Sequence, residues 1–314
     1  MSDKIEKKSI DFSIVIPVYN SEKSLENLCN RIHKVFNLRK EFYEIVLVDD
    51  CSKDNSWYVM NSLRKYNSNI KIVQLMSNFG QHNAILCGLN YISGKYVITM
   101  DDDLQNPPEE IPKLIDEIKK GYDAVIGALE IKQDTMIKNT ASAAMRFLMR
   151  KIFNMPADLK FSSFRIMTCE IANEVKNFKT PYPFIGGMIF SLTQNITNVK
   201  VKHEKRKYGT STYNYGKLIN LAFNLIINYT SLPLKMLTFI GILVSILSFS
   251  LGLFFIIQKL VYQIAVPGWT TVVVLISFFN GLLLLTIAIM GEYLSRIIGE
   301  VSGRRQYVVR RKEL

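Results

Sequence analysis

The sequence has few of the side chains that most often bind transition metals or act as nucleophiles. Four cysteines and three histidines occur in 314 residues, and they show no metal-ligand spacing. Neither a Ser-His-Asp nor a Cys-His arrangement has a recognisable signature. The residues concerned are Cys29, Cys51, Cys87, Cys169, His33, His82 and His203. We expect the cysteines to be buried and reduced in a cytosolic domain, and the histidines to be structural or surface groups.

The chain also has no basic-aromatic nucleic-acid module and no apolar stretch at its beginning. Lysine and arginine number 39 against 27 acidic residues, which gives a formal net charge of +12. Without such a module, nucleic acid is not an expected partner. A basic excess fits a protein held against anionic lipid. The first nine residues are mostly polar and charged, so no signal peptide is expected.

Long apolar runs occur only in the C-terminal third of the chain, at residues 232–257 and 269–291. Each is long enough to cross a hydrocarbon core of about 30 Å as a helix. The linker at 258–268 is short, so the runs are expected to form a transmembrane hairpin within 232–294. A pair of buried core helices is the alternative, which the apolar character on all faces disfavours.

The residues flanking the apolar runs predict an orientation. Six basic residues follow the second run within 295–314, whereas the linker carries only Lys259. The positive-inside rule places this basic tail, and with it both termini and the N-terminal domain, in the cytoplasm. Residues 213–231 are expected to form an amphipathic interfacial helix, with an ordinary core helix as the alternative. The expected location is therefore the cytoplasmic membrane.

Residues 1–212 are typical of a soluble α/β domain in which short apolar strands alternate with helices. This alternation predicts a mostly parallel, doubly wound sheet. Ligands in such sheets bind beyond the carboxyl ends of the strands. Those ends carry Tyr19 and Asn20, then Asp49 and Asp50, then the acidic run 101–103. Their convergence predicts a binding site at one edge of the sheet.

The acidic run 101–103 is the most informative motif. Adjacent carboxylates repel each other and are costly to desolvate unless a cation neutralises them. Oxygen ligands at a strand end suit Mg²⁺ or Mn²⁺, bound together with substrate phosphates. The run therefore indicates an enzyme that acts on a nucleotide-linked, phosphate-bearing substrate. A solvated turn is the alternative.

Several segments together resemble the inverting glycosyltransferases of family 2. They are residues 16–20, 48–56, 100–109, 206–213 and 291–298. The nearest resemblance is to polyprenyl-phosphate glycosyltransferases, which include dolichol-phosphate mannose synthases, bactoprenol glucosyltransferases and undecaprenyl-phosphate aminoarabinose transferases. The resemblance implies a GT-A fold, a nucleotide-diphosphate sugar donor and transfer to undecaprenyl or another polyprenyl phosphate, with inversion. It also makes a homo-oligomer plausible.

The resemblance implies a role for each matching residue. The metal residues would be Asp101, Asp103 and Gln105, which would share one face if the strand continued. The nucleotide-sugar contacts would be Pro17, Tyr19, Asn20, Asp49 and Asp102. The acceptor phosphate would meet Arg165, Lys205, Arg206, Lys207 and Ser211. The catalytic residues would be Asp103, Asp158 and Arg206. The alternative for the basic cluster is a solvated run attracted to lipid head groups.

The sequence departs from the family pattern at three places. Ser162 and Ser163 replace a Gly-Asp pair whose acid is the usual base candidate, and Leu129 and Thr212 replace basic residues. A lipid monophosphate has a second pKa of about 6, so it needs little help from a base. Two alternatives are open, and the departures bear on the second. One is another family 2 enzyme such as a polysaccharide synthase, although its Q-x-x-R-W element is not found. The other is a non-catalytic membrane scaffold.

Overall fold

The protein comprises two compact units, which are described separately. The computed structural model describes residues 10–129, 150–153, 156, 159–180, 183–204, 226–227, 230, 232–262, 268–301 and 305–314. One unit contains residues 1–212 together with 304–314, and the other contains residues 213–303.

The first unit is built on a mixed, mostly parallel sheet. Its strands are β1 (Phe12–Val18), β2 (Tyr43–Asp49), β3 (Ile70–Leu75), β4 (Tyr96–Thr99), β5 (Ala124–Leu129), β6 (Arg165–Thr168), β7 (Ile196–Val201) and β8 (Val309–Glu313). Their order in the sheet is β7-β5-β6-β4-β1-β2-β3-β8. The pairs β1–β2, β1–β4, β2–β3 and β5–β7 are parallel, whereas β6 and β8 pair antiparallel to their neighbours. The expected mostly parallel α/β sheet is confirmed.

Helices cover both faces of this sheet. They are α1 (Leu25–Arg39), α2 (Ser56–Tyr66), α3 (Gln81–Gly88), α4 (Ile111–Ile118), α5 (Cys169–Asn177) and α6 (Ile185–Leu192). Leu28 of α1 and Leu114 of α4 belong to one buried cluster, and Ile85 of α3 and Ile189 of α6 belong to a second. Because two layers of helices enclose the central strands, β1 and β2 are buried along their whole length.

The strand order reverses beside β1. From β1 the chain first builds outwards through β2 and β3, and it then returns to place β4 on the other side of β1. At such a switch point the connections leaving the two strands diverge, which opens a crevice at their carboxyl ends. The loops that follow β1 and β4, which begin at Tyr19 and Met100, therefore flank this crevice.

The end of the chain differs from the expected basic tail at 295–314. Residues up to Val301 continue a helix, and Val309–Glu313 form β8, which pairs antiparallel with β3. The sequence pattern gave no sign of this strand because three of its five residues are Arg310, Arg311 and Lys312. Charged residues are common on edge strands, and β8 lies at the end of the sheet order.

The second unit contains two long helices, α7 (Leu232–Tyr262, 31 residues) and α8 (Trp269–Val301, 33 residues). They coincide with the two apolar runs but extend further, by five residues in α7 and ten in α8. Among the described residues, one segment is both long and apolar enough to span a membrane, Phe278–Gly299. A shorter apolar segment, Pro233–Val244, lies in α7.

Gly94, just before β4, lies close to the backbone of β1. A Cβ atom at this position would lie 2.7 Å from the backbone of Phe12 and Ser13. We expect Gly94→Ala to force β4 away from β1 and to destabilise the domain by about 1–3 kcal/mol. The measurement is the thermal unfolding midpoint of the purified protein. Gly281→Ala is the control, because its Cβ would meet no atom within 4 Å. Equal midpoints for the two variants would contradict this account.

Candidate active site

The loop after β1 presents Tyr19 to the crevice and is held by the loop after β2. Asn20 has a positive φ of 54°. Its backbone N–H donates to Ser52 Oγ at 3.0 Å, and its side-chain oxygen accepts from the backbone N–H of Lys53 at 2.8 Å. Tyr19 is 43% exposed. The tyrosine ring is therefore available to a ligand, whereas Asn20 joins two loops.

The two acids at the end of β2, Asp49 and Asp50, differ in their exposure to the pocket. Asp49 is 0% exposed, and its two oxygens accept from Gln74 Nε2 at 2.8 Å and from the Ser52 N–H at 3.0 Å. Asp50 accepts from the backbone N–H groups of Phe79 and Gly80 and contributes to the wall of the pocket. Asp49 is not part of the pocket wall, so its expected contact with the nucleotide stays a prediction. Asp50 is the acid that borders the pocket.

Asp101 and Asp102 of the acidic run accept hydrogen bonds from different donors. Asp101 accepts from Gln81 Nε2 at 2.6 Å and from Ser163 Oγ at 2.5 Å. Asp102 accepts from the Tyr19 N–H at 3.0 Å and from Ser21 Oγ at 2.5 Å, both through Oδ2. Each acid is thus fixed by a different segment of the chain.

The third acid, Asp103, accepts from the backbone N–H of Gln105 at 3.0 Å. This is a local turn, and Leu104 within it has a positive φ of 62°. Since β4 ends at Thr99, the idea that residues 101, 103 and 105 alternate along a continuing strand is wrong. The turn, and not strand periodicity, brings Asp103 and Gln105 together.

The acidic run favours a cation. Burial raises the pKa of Asp102 to about 6, and the neighbouring charges of Asp101 and Asp103 also raise it. Burial raises the pKa of Asp101 as well, while the hydrogen bond from Ser163 opposes that shift. Carboxyl groups with raised pKa values are stabilised in their charged form by a nearby positive charge. A divalent ion or a cationic group would therefore be favoured here.

A pocket of about 260 Å³ opens between these loops. Its walls include Pro17, Tyr19, Asp50, Gln81, Asp101, Asp102 and Asp103. Four of the walls' side chains are carboxylates, so a bare anion would be repelled. A phosphate-bearing ligand would therefore have to bind together with a cation in this pocket.

Arg165 does not reach this pocket as an acceptor contact. It is 3% exposed, and its Nε donates to Thr99 Oγ1 at 3.2 Å, because β6 pairs antiparallel with β4 and places the two residues opposite each other. Burial lowers its pKa to about 10, and the charge of Asp101 opposes that shift. Arg165 does not line the described pocket, so its expected contact with the acceptor phosphate stays a prediction. Arg165 acts as a buried counter-charge to Asp101.

The segment after β7 is bound to the acidic loop. The Glu204 N–H donates to the Gln105 carbonyl at 2.9 Å, and Gln105 Nε2 lies 3.2 Å from His203 Nε2. Arg31 of α1 joins Glu109 at 2.5 Å and Glu204 at 3.0 Å. The expected residues Lys205, Arg206, Lys207 and Ser211, together with Asp158, lie outside the described residues. Glu204, one residue before that basic run, is thus fixed beside Gln105.

A metal site is not complete in the described part of the chain, where no three His, Cys, Asp or Glu side chains are grouped so that they could hold an ion. Mg²⁺ commonly uses only one or two carboxylates and takes its other ligands from substrate phosphates and water. Asp103 and the amide oxygen of Gln105, with Asp101 beside them, have the donor chemistry for such a partial site. The residues present therefore fit a metal that arrives with a diphosphate.

The comparison with protein families is decisive for the family. The family model described as Glycosyl transferase family 2 matches residues 13–175. The chain belongs to this family. An uncharacterized glycosyltransferase of Synechocystis sp. is 34% identical over 302 residues, which cover 96% of this chain and 95% of the relative.

A second curated relative of this glycosyltransferase carries a more specific name. The undecaprenyl-phosphate 4-deoxy-4-formamido-L-arabinose transferase of Yersinia enterocolitica is 34% identical over 316 residues, which cover 99% of this chain and 94% of the relative. Both similarities extend over nearly the whole chain, so they include the apolar C-terminal segments.

A solved structure supports the GT-A-like fold of the glycosyltransferase. It is glucosyl-3-phosphoglycerate synthase from Mycobacterium tuberculosis, in complex with Mn²⁺, uridine diphosphate and phosphoglyceric acid. The TM-score is 0.51 at 17% identity, and the match covers 69% of this chain and 76% of that one. At this identity the likeness supports the fold alone.

Sequence reasoning missed several residues that form the site. Gln81 and Ser163 both donate to Asp101, and Arg31 pairs with Glu109 and Glu204. None of the three lies in a motif with an evident chemical role. Ser163 was noted only as a replacement for a missing acid. Ser163 lies two residues before β6, which pairs with β4, the strand that precedes the acidic run.

His82 of α3 makes the stability of the glycosyltransferase sensitive to acid. Its ring packs edge-on against Phe184, and burial lowers its pKa to about 4, with the charge of Arg165 adding to the shift. Its unfolded pKa is about 6.5, so stability present above that pH is lost as the pH falls towards 4. We expect a loss of about 2 kcal/mol between pH 6.5 and 5 that is absent in His82→Leu.

The measurement is the thermal unfolding midpoint of wild type and His82→Leu at a series of pH values from 7.5 to 5. The absolute midpoint of the variant is unimportant, since only the difference in slope reports this titration. His33 and His203 remain in both proteins and act as internal controls. Parallel curves would show that protonation of His82 does not limit stability.

Proposed function

We propose that this family 2 glycosyltransferase moves a sugar from a nucleotide-diphosphate donor to undecaprenyl phosphate, or a related polyprenyl phosphate, at the cytoplasmic face of the membrane. One observation carries the proposal. The loop that bears the acidic run also holds, through Gln105, the segment that leads into the basic run at 205–207. The donor site is therefore joined by direct hydrogen bonds to His203 and Glu204, the two residues that precede the candidate acceptor-phosphate run in the sequence.

The donor would occupy the carboxylate-walled pocket. Tyr19, exposed at its rim, would pack against the base, and Asp50 and Asp102 would accept hydrogen bonds from base or ribose. Asp101, Asp103 and Gln105 would hold a Mg²⁺ or Mn²⁺ ion with the diphosphate. When bound, that ion would neutralise charge on the diphosphate as it leaves.

The acceptor phosphate would approach from the side of the basic run. One of its oxygens would attack the anomeric carbon opposite the diphosphate, and the bond to the diphosphate oxygen would break with its electron pair. This inverts the configuration. Arg206 would hold the phosphate dianion by paired hydrogen bonds, with Lys205, Lys207 and Ser211 beside it. Because the phosphate is already ionised near neutral pH, positioning supplies most of the catalysis.

Ser163 fits a reaction of this kind. Its hydroxyl donates to Asp101 at 2.5 Å, so it orients a carboxylate of the acidic run and does not act as a base. A serine at this position is compatible with an acceptor that arrives already deprotonated. The same position would be a disadvantage if the acceptor were a sugar hydroxyl, which needs a base.

The long helices α7 and α8 would form a transmembrane hairpin, preceded by an interfacial helix at 213–231. The segment Phe278–Gly299 supports a membrane span in α8, and the positive-inside rule supports cytoplasmic termini. An anchor of this kind has a chemical purpose, since the acceptor head group lies at the bilayer surface. The relative from Yersinia enterocolitica, named for an undecaprenyl-phosphate acceptor, supports the same acceptor class.

Two alternatives predict different results. A polysaccharide synthase would extend a sugar chain, and it would produce polymer without needing a lipid phosphate. A membrane scaffold with a degenerate domain would give no product with any donor. Both are tested by incubating the purified protein with polyprenyl phosphate, Mg²⁺ or Mn²⁺ and a panel of nucleotide sugars, and by analysing lipid-linked and polymeric products separately.

Removal of Asp103 tests the metal role. We expect Asp103→Ala to lower the rate of lipid-linked sugar formation by about 100-fold or more, because diphosphate charge is no longer neutralised. Mn²⁺ binding followed by electron paramagnetic resonance in the presence of UDP should weaken in parallel. Asp116→Ala, a carboxylate of α4 whose side chain is 65% exposed, is the matched control. Undiminished product formation by Asp103→Ala would refute the role.

Removal of Arg31 tests the link to the acceptor. We expect Arg31→Ala to raise the KM for polyprenyl phosphate about 5- to 10-fold, because Glu204, which leads into the basic run, loses its side-chain partner Arg31. The KM for the donor should change less than twofold. Arg39→Ala is the matched control, since Arg39 lies on the same helix and pairs with Glu41 and Asp116. Equal changes in both KM values would contradict this assignment.

A further inference from the structure

The strand β8 contributes a side chain to a series of hydrogen bonds that reaches the loops after β1 and β2. Arg311 of β8 lies opposite Gln74 of β3 in the antiparallel register. Its Nε donates to Gln74 Oε1 at 2.8 Å, and Gln74 Nε2 donates in turn to Asp49 Oδ2 at 2.8 Å. This series of hydrogen bonds thus connects β8 with the end of β2.

The direction of these hydrogen bonds is fixed by chemistry. An arginine only donates and an ionised aspartate only accepts, so the group between them must offer both an acceptor and a donor. A glutamine amide does so with its oxygen towards Arg311 and its nitrogen towards Asp49. A carboxylate or an apolar side chain at position 74 could not make both contacts.

Beyond Asp49 the series of hydrogen bonds continues into the loops after β2 and β1, which both border the pocket. The second oxygen of Asp49 accepts from the Ser52 N–H at 3.0 Å, and Ser52 Oγ accepts from the Asn20 N–H at 3.0 Å. Asn20 directly follows Tyr19, whose ring is exposed at the pocket. The backbone next to that ring is therefore held in part by Ser52, whose own N–H is bound by Asp49.

Asp49 needs these partners because it is completely buried. A carboxylate removed from water is costly unless hydrogen bonds compensate for the lost hydration. Among its contacts, Gln74 is the side-chain donor, and Arg311 polarises that donor from the other side. Loss of Arg311 would weaken the hydrogen bond that keeps Asp49, and hence the loop at 50–55, in place.

Arg311 is itself held in position. Its guanidinium lies over the Trp57 ring of α2, 4.3 Å from the ring centroid, which is a favourable cation–π arrangement. The pairing of β8 also continues beyond Gln74, since the Met76 N–H donates to the Val308 carbonyl at 2.8 Å. The strand therefore places Arg311 firmly enough to orient a neighbour.

We infer that Arg311 and Gln74 are positioning residues for the donor site, and that the chain after the second long helix is a working part of that site. This inference rests on the proposed use of the pocket by a nucleotide sugar. It predicts that a change at the extreme C-terminus alters donor binding, although β8 lies outside the residues that match the family model.

The test uses the full chain with single substitutions. We expect Arg311→Ala and Gln74→Met to raise the KM for the donor about 3- to 10-fold, with kcat changed less than twofold, because each variant loses one link in the chain of hydrogen bonds. Lys312→Ala is the matched control. It removes the same charge from the same strand, but Lys312 lies over the Tyr91 ring. Arg311→Lys should recover part of the effect.

A second readout does not depend on turnover. Hydrogen–deuterium exchange of the ligand-free protein should increase in peptides that cover 18–22 and 49–56 in Arg311→Ala and Gln74→Met, but not in Lys312→Ala. The double variant should match the single variants, because links in series do not add. Exchange in Arg311→Ala equal to that in Lys312→Ala would overturn the inference, as would additive effects in the double variant.

The two readouts separate the possible failures. If the wild-type protein transfers no sugar, the proposed function fails, while the exchange experiment still decides whether Arg311 orders the donor loops. If transfer occurs and Arg311→Ala behaves like Lys312→Ala in both measurements, the proposed function stands and the positioning role is wrong.

Discussion

The arrangement of the site depends on the need of buried carboxylates for hydrogen-bond donors. Acids gather at the carboxyl ends of β2 and β4, where the sheet reverses its order; Asp49 and Asp50 are buried, and the acids of the run 101–103 are partly buried. Three of them accept hydrogen bonds from segments distant in sequence: Asp50 from the backbone before α3, Asp101 from Ser163, and Asp102 from the loop after β1. The hydrogen bonds to these acids therefore help to fix the conformation of the loops that form the pocket.

The location of this site could be predicted from the sequence because it depends on rules that are local or topological. Apolar strands, intervening helices and polar strand ends are all visible in the order of residues, and parallel strands bring those ends together. The division of work between Asp49 and Asp50 could not be predicted in this way. It depends on Gln74, from a neighbouring strand, and on which of two adjacent side chains faces inward.

The remaining errors have a similar origin in tertiary contacts. The acidic run was expected to continue as a strand, but Leu104 adopts a positive φ and the chain turns. Arg165 was expected to contact the acceptor phosphate, yet the antiparallel pairing of β6 with β4 places it opposite Thr99, where it is buried. Ser163 looked like the loss of a functional acid, but it supports another acid. A single sequence records such residue types without recording which neighbours the fold will give them.

The strand β8 has one further consequence, which concerns solubility. Without β8, the strand β3, with the sequence Ile-Lys-Ile-Val-Gln-Leu, would present an unpaired backbone edge with strongly apolar side chains. Such an edge is a template for pairing with other chains. The charged sequence Val-Arg-Arg-Lys-Glu covers that edge and ends the sheet with residues that disfavour further strand addition. By pairing with β3, β8 thus disfavours aggregation of the domain through that sheet edge.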